Sequence, residues 1–246
     1  MPTASPALEK TKTRRHSAVV RVTHWLTFIA FVALLVTGFE IVVSHPRFYW
    51  GEVGNVNTKP LFVIPIPASR DTVPTGYKFE MPDENGWSRY LHFEAAWLAV
   101  LVALVYGVYG VVSGHFTRDL LPERRDWTWH SYRQRIAQYL HRKPPDPEED
   151  RSYNVLQRTA YVVVIFVLFP LIIWTGLAMS PTFTAQFPWT AALLGGRQSA
   201  RTIHFVVSWL LLFFLIGHVT MVAVSGFWQR MRAMITGYTR DVEERQ

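Results

Sequence analysis

The sequence predicts an all-α integral membrane protein, a four-helix transmembrane bundle with both termini in the cytoplasm. Half of the 246 residues are hydrophobic and only 17% are charged. Four apolar runs each have the roughly 20 residues that a helix needs to cross the hydrocarbon core. Most of the 25 lysine and arginine residues lie in the N-terminal segment, the connection 116–158 and the tail, which the positive-inside rule places on the cytoplasmic side.

The predicted spans are residues 25–43, 95–112, 160–179 and 203–224. They form a single membrane domain, residues 16–238, between a flexible cytoplasmic tail, 1–15, and a second tail, 239–246. The outer connection, 44–88, is rich in proline, glycine and aromatic residues, which favours an ordered cap, although an irregular tether fits nearly as well. In the inner connection, apolar residues recur at helical spacing within WTWHSYRQRIAQYLHRK, which favours a short helix lying in the membrane interface.

Composition and charge also exclude several classes of site. The chain has no cysteine, so it cannot form a disulfide, an iron–sulfur cluster, a thiolate zinc site or a covalent haem attachment of the C-x-x-C-H type. The net charge of +7 follows the predicted membrane topology, which argues against a nucleic-acid partner and for a multi-pass protein surrounded by lipid. Any redox centre must therefore be held by ligands other than cysteine.

Four histidines lie within or at the start of the apolar runs. His24 opens the first span, His92 opens the second, and His204 and His218 both lie on the fourth. Fourteen residues of helix span ~21 Å and nearly four full turns, so His204 and His218 share one face, one toward each leaflet. In the predicted topology His92 is level with His204 on the outer side, and His24 is on the same side as His218.

This arrangement predicts two bis-histidine pairs. Neutral imidazole suits iron, and two axial histidines from facing helices are typical of an electron-transfer haem of the non-covalent b type. A single membrane histidine also commonly hydrogen-bonds a neighbouring helix, so the spacing of all four is what favours haem. The inner pair requires the first helix to begin before residue 24.

Other residues are candidates for contacts with the two haems. Glycines leave gaps for a porphyrin face, although glycines in membrane helices more often serve packing. Arginines three residues before a proposed ligand could pair with haem propionates, although topology also places arginines there. His115, at the inner end of the second span, is a candidate for contact with a quinone or a haem edge. Pro170 predicts a kink in the third span. The candidates beside the four ligands are Gly38, Gly110, Arg21, Arg89, Arg201 and His115, whereas His16, His45, His130 and His141 are expected at the surface.

The chain resembles the diheme membrane cytochromes b, which include the cytochrome b561 type and the cytochrome subunit of nickel-iron hydrogenase. The resemblance covers about residues 16–238. Within this group, the chain is most similar to the cytochrome b subunit of thiosulfate reductase and related molybdenum oxidoreductases. It rests on RVTHWLTFIAFVALLVTGF, SHPRFYWGE, HFEAAW followed by YGVVSGHFTRDLLP, FPLIIWTGLAMSP, and GRQSARTIHF with the later GHV.

The resemblance implies that His24, His92, His204 and His218 bind two b haems. It also implies an extracytoplasmic partner, a molybdenum-cofactor oxidoreductase subunit, and a quinone site in the bacterial inner membrane. The chain has no motif for the molybdenum cofactor, so substrate chemistry is expected in the partner. Two alternatives remain open: a self-sufficient b561-type oxidoreductase using a small soluble donor or superoxide, and a haem-free membrane anchor or metal carrier.

Overall fold

The four apolar runs form four long helices in a computed structural model that describes residues 12–55, 57–65, 84–121, 128–140 and 155–240. Helices that are long and apolar enough to cross a membrane cover Ala18–Ser44, Trp87–Val112, Val155–Met179 and Arg197–Val224. The predicted all-α membrane fold is therefore confirmed. Below, "outer" and "inner" name the two ends of the bundle according to the predicted topology.

The elements in chain order are β1 (Lys12–Arg14), α1 (Ala18–Ser44), β2 (Arg47–Phe48), β3 (Phe62–Val63), α2 (Glu84–Val112), a π-helical turn (Phe116–Leu120), α3 (Trp129–Leu140), α4 (Val155–Val163), a second π-helical segment (Val164–Leu168), α5 (Phe169–Met179), α6 (Pro181–Gln186), α7 (Trp189–Ala192), α8 (Arg197–Val224), α9 (Phe227–Thr236) and β4 (Tyr238–Arg240). Helices α4 and α5 with the π-helical segment between them make the third span.

Each membrane helix begins earlier in the chain than the apolar run that predicted it. Helix α1 begins at Ala18, where the Ser17 hydroxyl caps it by accepting a hydrogen bond from the Val20 N–H at 3.2 Å. Hydropathy detects only the part of a helix that lies in hydrocarbon, whereas the helix itself continues into the polar interface. His24 therefore lies well inside α1, as the inner histidine pair requires.

The third span contains a wide turn beside Pro170. Residues Val164–Leu168 are π-helical, and the Phe169 N–H donates to the Val164 carbonyl, five residues back. Proline has no N–H, and its ring collides with the carbonyl four residues earlier, so a wider turn relieves that collision. The disturbance that the sequence predicts at Pro170 is thus taken up by the π-helical segment.

Two helix pairs make up the bundle, because α1 packs along α2 and α5 packs along α8. Between the third and fourth spans, Val164, Val207 and Leu211 form a buried apolar cluster, and Phe31 of α1 packs against it. Many other apolar side chains stay exposed, Val112 by 82%. Lipid tails are as apolar as these side chains, so the membrane takes the place of a larger protein core.

A hairpin cap, residues 45–55 and 57–65, covers the outer start of α8. Strands β2 and β3 pair antiparallel, Phe48 opposite Phe62, and the buried Phe48 ring lies 4.4 Å from the Phe205 ring centroid. The Gly51 carbonyl accepts hydrogen bonds from two N–H groups in the first turn of α8, and the Gly51 N–H donates to the Ser199 hydroxyl at 2.7 Å. This part of the predicted cap is ordered, and residues 66–83 lie outside the described part of the chain.

At the inner end, the beginning and end of the described chain are joined. Strands β1 and β4 pair antiparallel, Thr13 opposite Thr239, and the Trp25 indole N–H donates to the Met234 carbonyl at 3.3 Å. Ordered structure thus extends a few residues beyond the predicted domain, 16–238, at each end. Both ends of the described chain consequently lie on the same side of the bundle.

The helix expected in the inner connection is present as α3. The Tyr132 hydroxyl lies 2.7 Å from the Thr159 hydroxyl of α4, so α3 is attached to the inner end of the third span. Its position in the membrane interface stays a prediction.

Replacing Gly196 by alanine is expected to loosen the hairpin cap more than the same change at Gly51. Both residues have positive φ, +112° and +105°, a strain of about 1–3 kcal/mol for an L-residue. A Cβ at Gly196 meets the Gly51 carbonyl carbon at 2.5 Å, whereas a Cβ at Gly51 meets nothing within 4 Å. Gly196→Ala should therefore lose a further ~1–3 kcal/mol of unfolding free energy through overpacking, measured by thermal unfolding in detergent. Equal losses in the two variants would contradict the packing seen at Gly196.

Candidate functional site

Two pairs of histidine rings face each other within the bundle, one pair toward each end. At the outer end, the ring centroids of His92 on α2 and His204 on α8 are 6.3 Å apart, with an angle of 59° between the ring planes. At the inner end, the centroids of His24 on α1 and His218 on α8 are 6.2 Å apart, at 55°. Helix α8 thus provides one member of each pair, and two other helices provide the remaining members.

The separation within each pair matches the requirement of one metal ion bound between two imidazoles. A metal ion lies about 2.0–2.1 Å from an imidazole nitrogen, which puts the centroids of two opposed rings roughly 6.4 Å apart. In the described ranges, no group of three or more His, Cys, Asp or Glu side chains could hold a metal ion. A metal held by two imidazoles alone takes its other ligands from elsewhere, as iron does from a porphyrin. The two pairs therefore fit haem.

Each imidazole of the outer pair has a threonine beside its second ring nitrogen. The Thr37 hydroxyl on α1 lies 2.9 Å from His92 Nδ1, and the Thr175 hydroxyl on α5 lies 2.9 Å from His204 Nδ1. Both threonines are fully buried. Sequence reasoning did not identify them, although each stands directly before a glycine, in LLVTGF and LIIWTGL.

Those two glycines lie against the same imidazoles. A Cβ built on Gly38 would be 3.5 Å from His92 Cε1, and a Cβ built on Gly176 would be 3.5 Å from His204 Cε1. Gly38 was among the predicted candidates, whereas Gly176 was missed. At Gly110 the space in front of the backbone is taken by the Phe116 ring, since a Cβ there would lie 2.2 Å from that ring. The predicted contact of Gly110 with a haem stays a prediction.

The inner pair has a more apolar and aromatic environment. The His24 ring makes an edge contact with Trp25 at 5.4 Å, and the His218 ring stacks on Phe214 at 5.8 Å and meets Tyr161 at 6.2 Å. His24 Nδ1 is buried and has no hydrogen-bond partner in the part of the chain that the structure describes. The two pairs therefore have similar ring separations and different polar surroundings.

The predicted arginines lie at the same two ends as the histidine pairs. At the outer end, Arg201 donates to the His45 carbonyl, and the Arg89 guanidinium lies 3.4 Å from His45 Nε2. At the inner end, Arg21 donates to the Ile235 carbonyl, while its buried Nε has no partner within the described ranges. Each end of the bundle thus combines a histidine pair with guanidinium groups.

The expectation that His16 and His45 lie at the surface is wrong, because both side chains are partly buried. Burial, followed by the charges of Arg201 and Arg89, lowers the pKa of His45 below its usual value of 6.5. Burial, followed by the charge of Arg15, lowers the pKa of His16 to about 4. Neither position could be inferred from sequence, because Arg89 and Arg201, which contact His45, and the C-terminal segment, which contacts His16, are distant in the chain. His130 is exposed, as expected, and His141 lies outside the described residues.

His115 lies at the inner end, just after α2. Its ring is 5.9 Å from the Tyr106 ring and 6.1 Å from the Tyr109 ring, and it is partly buried. Electrostatic coupling between His115 and His16 places both histidines in the same region as His24. The predicted contact of His115 with a quinone or a haem edge stays a prediction.

The low pKa of His16 predicts a specific loss of stability in acid. Folding disfavours the protonated imidazole, so the contribution of neutral His16 to stability is full above pH 6.5 and is lost as the pH falls toward about 4. The variant His16→Gln lacks this titrating group. Between pH 7 and pH 4.5, the melting temperature of the variant in detergent should therefore fall less than that of the wild type. His130→Gln, at an exposed position, is the control and should follow the wild type. If His16→Gln also follows the wild type, the buried neutral state is not what limits stability in acid.

The chain is similar to membrane subunits from several bacteria. It is 30% identical over 230 residues to the putative protein-methionine-sulfoxide reductase subunit YedZ1 of Azospira oryzae, covering 91% of this chain and 96% of the relative. It is 25% identical over 235 residues to the probable Ni/Fe-hydrogenase B-type cytochrome subunit of Cupriavidus necator, covering 91% and 85%. It is 27% identical over 218 residues to the probable Ni/Fe-hydrogenase 1 B-type cytochrome subunit of Escherichia coli K12, covering 83% of this chain and 79% of the relative.

The sequence profile of the family described as prokaryotic cytochrome b561 matches residues 15–237, almost the whole described chain. This match confirms the resemblance at the level of the family, whereas the thiosulfate-reductase-type branch stays a prediction. It also removes the haem-free alternatives, because the family binds b-type haem. The chain belongs to the prokaryotic cytochrome b561 family and is a b-type membrane cytochrome.

Proposed function

We propose that this chain relays electrons across the bacterial inner membrane, between an extracytoplasmic molybdenum-cofactor oxidoreductase subunit and the quinone pool. Two b haems would be held by His92 with His204 and by His24 with His218. The observation that carries the proposal is the presence of two facing imidazole pairs at separations of 6.3 and 6.2 Å. When bound, each haem supplies a centre that takes up and releases one electron.

The two pairs lie far enough apart to serve opposite halves of the membrane. Fourteen residues of α8 separate its two histidines, a rise of ~21 Å against a hydrocarbon core of roughly 30 Å. Val207 and Leu211, which lie between the two histidines of α8, belong to a buried apolar cluster, and neutral imidazoles need no counter-charge in such surroundings. The residues therefore support one centre near each side of the membrane.

The arginines supply positive charge at both ends of the bundle. Arg89 and Arg201 converge on His45 at the outer end, and Arg21 presents a buried, unpartnered Nε–H within the described ranges at the inner end. Guanidinium groups form strong paired hydrogen bonds with carboxylates. We therefore propose that these three arginines bind the carboxylates of the haem propionates.

Charge distribution supports the orientation N-in and C-in. Residues 1–21 carry five lysine or arginine side chains and one glutamate, and residues 225–246 carry four arginines and three carboxylates. Pairing of β1 with β4 joins these two segments on one side. The positive-inside rule assigns that side to the cytoplasm. The hairpin cap then faces the extracytoplasmic side.

The names of the relatives support a catalytic partner. One is a putative protein-methionine-sulfoxide reductase subunit, and two are probable hydrogenase cytochrome subunits. Each name describes a subunit of a larger oxidoreductase, so we infer a separate catalytic subunit for this chain too. The hairpin cap offers it an ordered extracytoplasmic surface on which Trp50 is 60% exposed.

The quinone is assigned to the inner end, at His115. Quinone reduction consumes protons as well as electrons, and an imidazole can donate or accept a proton near neutral pH. Tyr106 and Tyr109 place aromatic rings beside His115, and aromatic side chains combined with a few polar groups are typical of a cofactor site.

Single histidine variants are expected to lose one haem each. The purified wild type should contain two haems per chain by the pyridine haemochrome assay, and His204→Ala should contain one, because only the outer pair loses a ligand. His24→Ala should lose the other haem, with a different residual visible spectrum. His130→Ala, an exposed control, should retain both. Retention of two haems in His204→Ala would contradict the ligand assignment.

Exchange of electrons with quinone tests the relay itself. In proteoliposomes, a quinol should reduce the oxidised haem, or a quinone should reoxidise haem reduced by dithionite, within seconds of mixing. His115→Ala should slow this reaction at least tenfold, while the total haem reducible by dithionite stays at the wild-type level. A wild type whose haem spectrum responds to dithionite and to neither quinone form would exclude the quinone assignment.

A further inference from the structure

Thr37 and Thr175 make equivalent contacts with the two imidazoles of the outer pair. Each hydroxyl lies 2.9 Å from a histidine Nδ1 on a neighbouring helix, His92 for Thr37 and His204 for Thr175. Each threonine is followed by a glycine whose Cβ position would be 3.5 Å from the same imidazole. A Thr–Gly step on α1 therefore contacts the histidine of α2 in the way that a Thr–Gly step on α5 contacts the histidine of α8.

Each threonine hydroxyl donates its single hydrogen to a carbonyl of its own helix. Thr37 donates to the Ala33 carbonyl at 2.7 Å, and Thr175 donates to the Leu171 carbonyl at 2.8 Å. A carbonyl oxygen can only accept, and a hydroxyl has a single hydrogen. The remaining lone pair of the hydroxyl oxygen therefore accepts the hydrogen bond from histidine Nδ1–H.

This proton arrangement determines the tautomer of the imidazole. A neutral imidazole has one N–H, so a proton on Nδ1 leaves Nε2 with a free lone pair, the form that can bind a metal. A hydrogen bond from Nδ1–H to an acceptor also fixes the ring orientation and makes the ring a stronger electron donor.

We propose that Thr37 and Thr175 are positioning residues that hold His92 and His204 in the Nδ1–H tautomer and lower the midpoint potential of the outer haem. The proposal rests on the haem assignment made above. A more electron-donating ligand stabilises the oxidised iron, so loss of either hydroxyl should raise that potential.

The inner pair provides an internal reference. His24 Nδ1 has no hydrogen-bond partner among the described residues, although Thr23 lies beside it in the chain. Thr23 is also buried, and its hydroxyl donates to the Val19 carbonyl at 2.8 Å, as Thr37 does to its own helix. Thr23 therefore shares the burial and the helix hydrogen bond of Thr37, but within the described ranges its hydroxyl makes no hydrogen bond to an imidazole.

The experiment compares threonine variants of the purified holoprotein by redox titration of the haem bands. Thr37→Val and Thr175→Val keep the side-chain shape and lose the hydroxyl, whereas Thr37→Ser and Thr175→Ser keep it. Both valine variants should raise the midpoint potential of the same one of the two haems and leave the other unchanged. The serine variants should stay near the wild type. Electron paramagnetic resonance of the oxidised protein should show a change in the g-values of that one haem only.

Thr23→Val is the matched control and should leave both potentials at the wild-type values. The proposal is overturned if the valine variants shift neither haem, shift both equally, or shift different haems, or if Thr23→Val produces the same change. Loss of one haem in a valine variant with full haem in its serine counterpart supports the positioning role, whereas loss in both opposes it. A wild type that lacks two haems would instead reject the haem assignment on which the proposal rests.

Discussion

The arrangement of this bundle depends on burying imidazoles in hydrocarbon, where each ring nitrogen needs a partner that is not water. An unsatisfied buried polar group costs about 1–3 kcal/mol, and each histidine has two such nitrogens. At His92 and His204 one nitrogen meets a threonine hydroxyl at 2.9 Å, and the other is the one that the proposed haem would bind. In the proposed sites, iron between facing rings would satisfy two nitrogens at once, which would couple haem binding to helix assembly.

The sequence was sufficient for the features that depend on hydropathy and on helical spacing. The four spans and the positions of His204 and His218 follow from these two patterns alone. It was not sufficient for contacts between helices distant in the chain. Thr37 and Thr175 look like ordinary polar residues of a membrane helix, and only the packing of α1 on α2 and of α5 on α8 brings them to an imidazole. His45 was assigned to the surface because the arginines beside it come from other helices.

The two ends of the bundle satisfy their polar groups differently. At the outer end, the hairpin cap fixes the start of α8, since Gly51 bonds the first turn and Thr202 donates to the Tyr49 carbonyl at 2.7 Å. These bonds lie just before His204 and hold it in register with His92. At the inner end, pairing of β1 with β4 and the Trp25 hydrogen bond tie the two ends of the described chain to α1. Each histidine pair is thus supported by a connection outside the membrane helices as well as by helix packing.

On both α1 and α8, fourteen residues separate a contact at the outer histidine pair from a contact at the inner pair, and the two helices run in opposite directions. On α8, His204 at the outer pair and His218 at the inner pair are separated by fourteen residues. On α1, fourteen residues separate His24, at the inner pair, from Gly38, which faces His92 at the outer pair. A straight helix has a fixed rise per residue, so a shift of α1 by one turn, ~5.4 Å, would displace both contacts together. The two sites are therefore not independent, because one helix register sets the geometry of both.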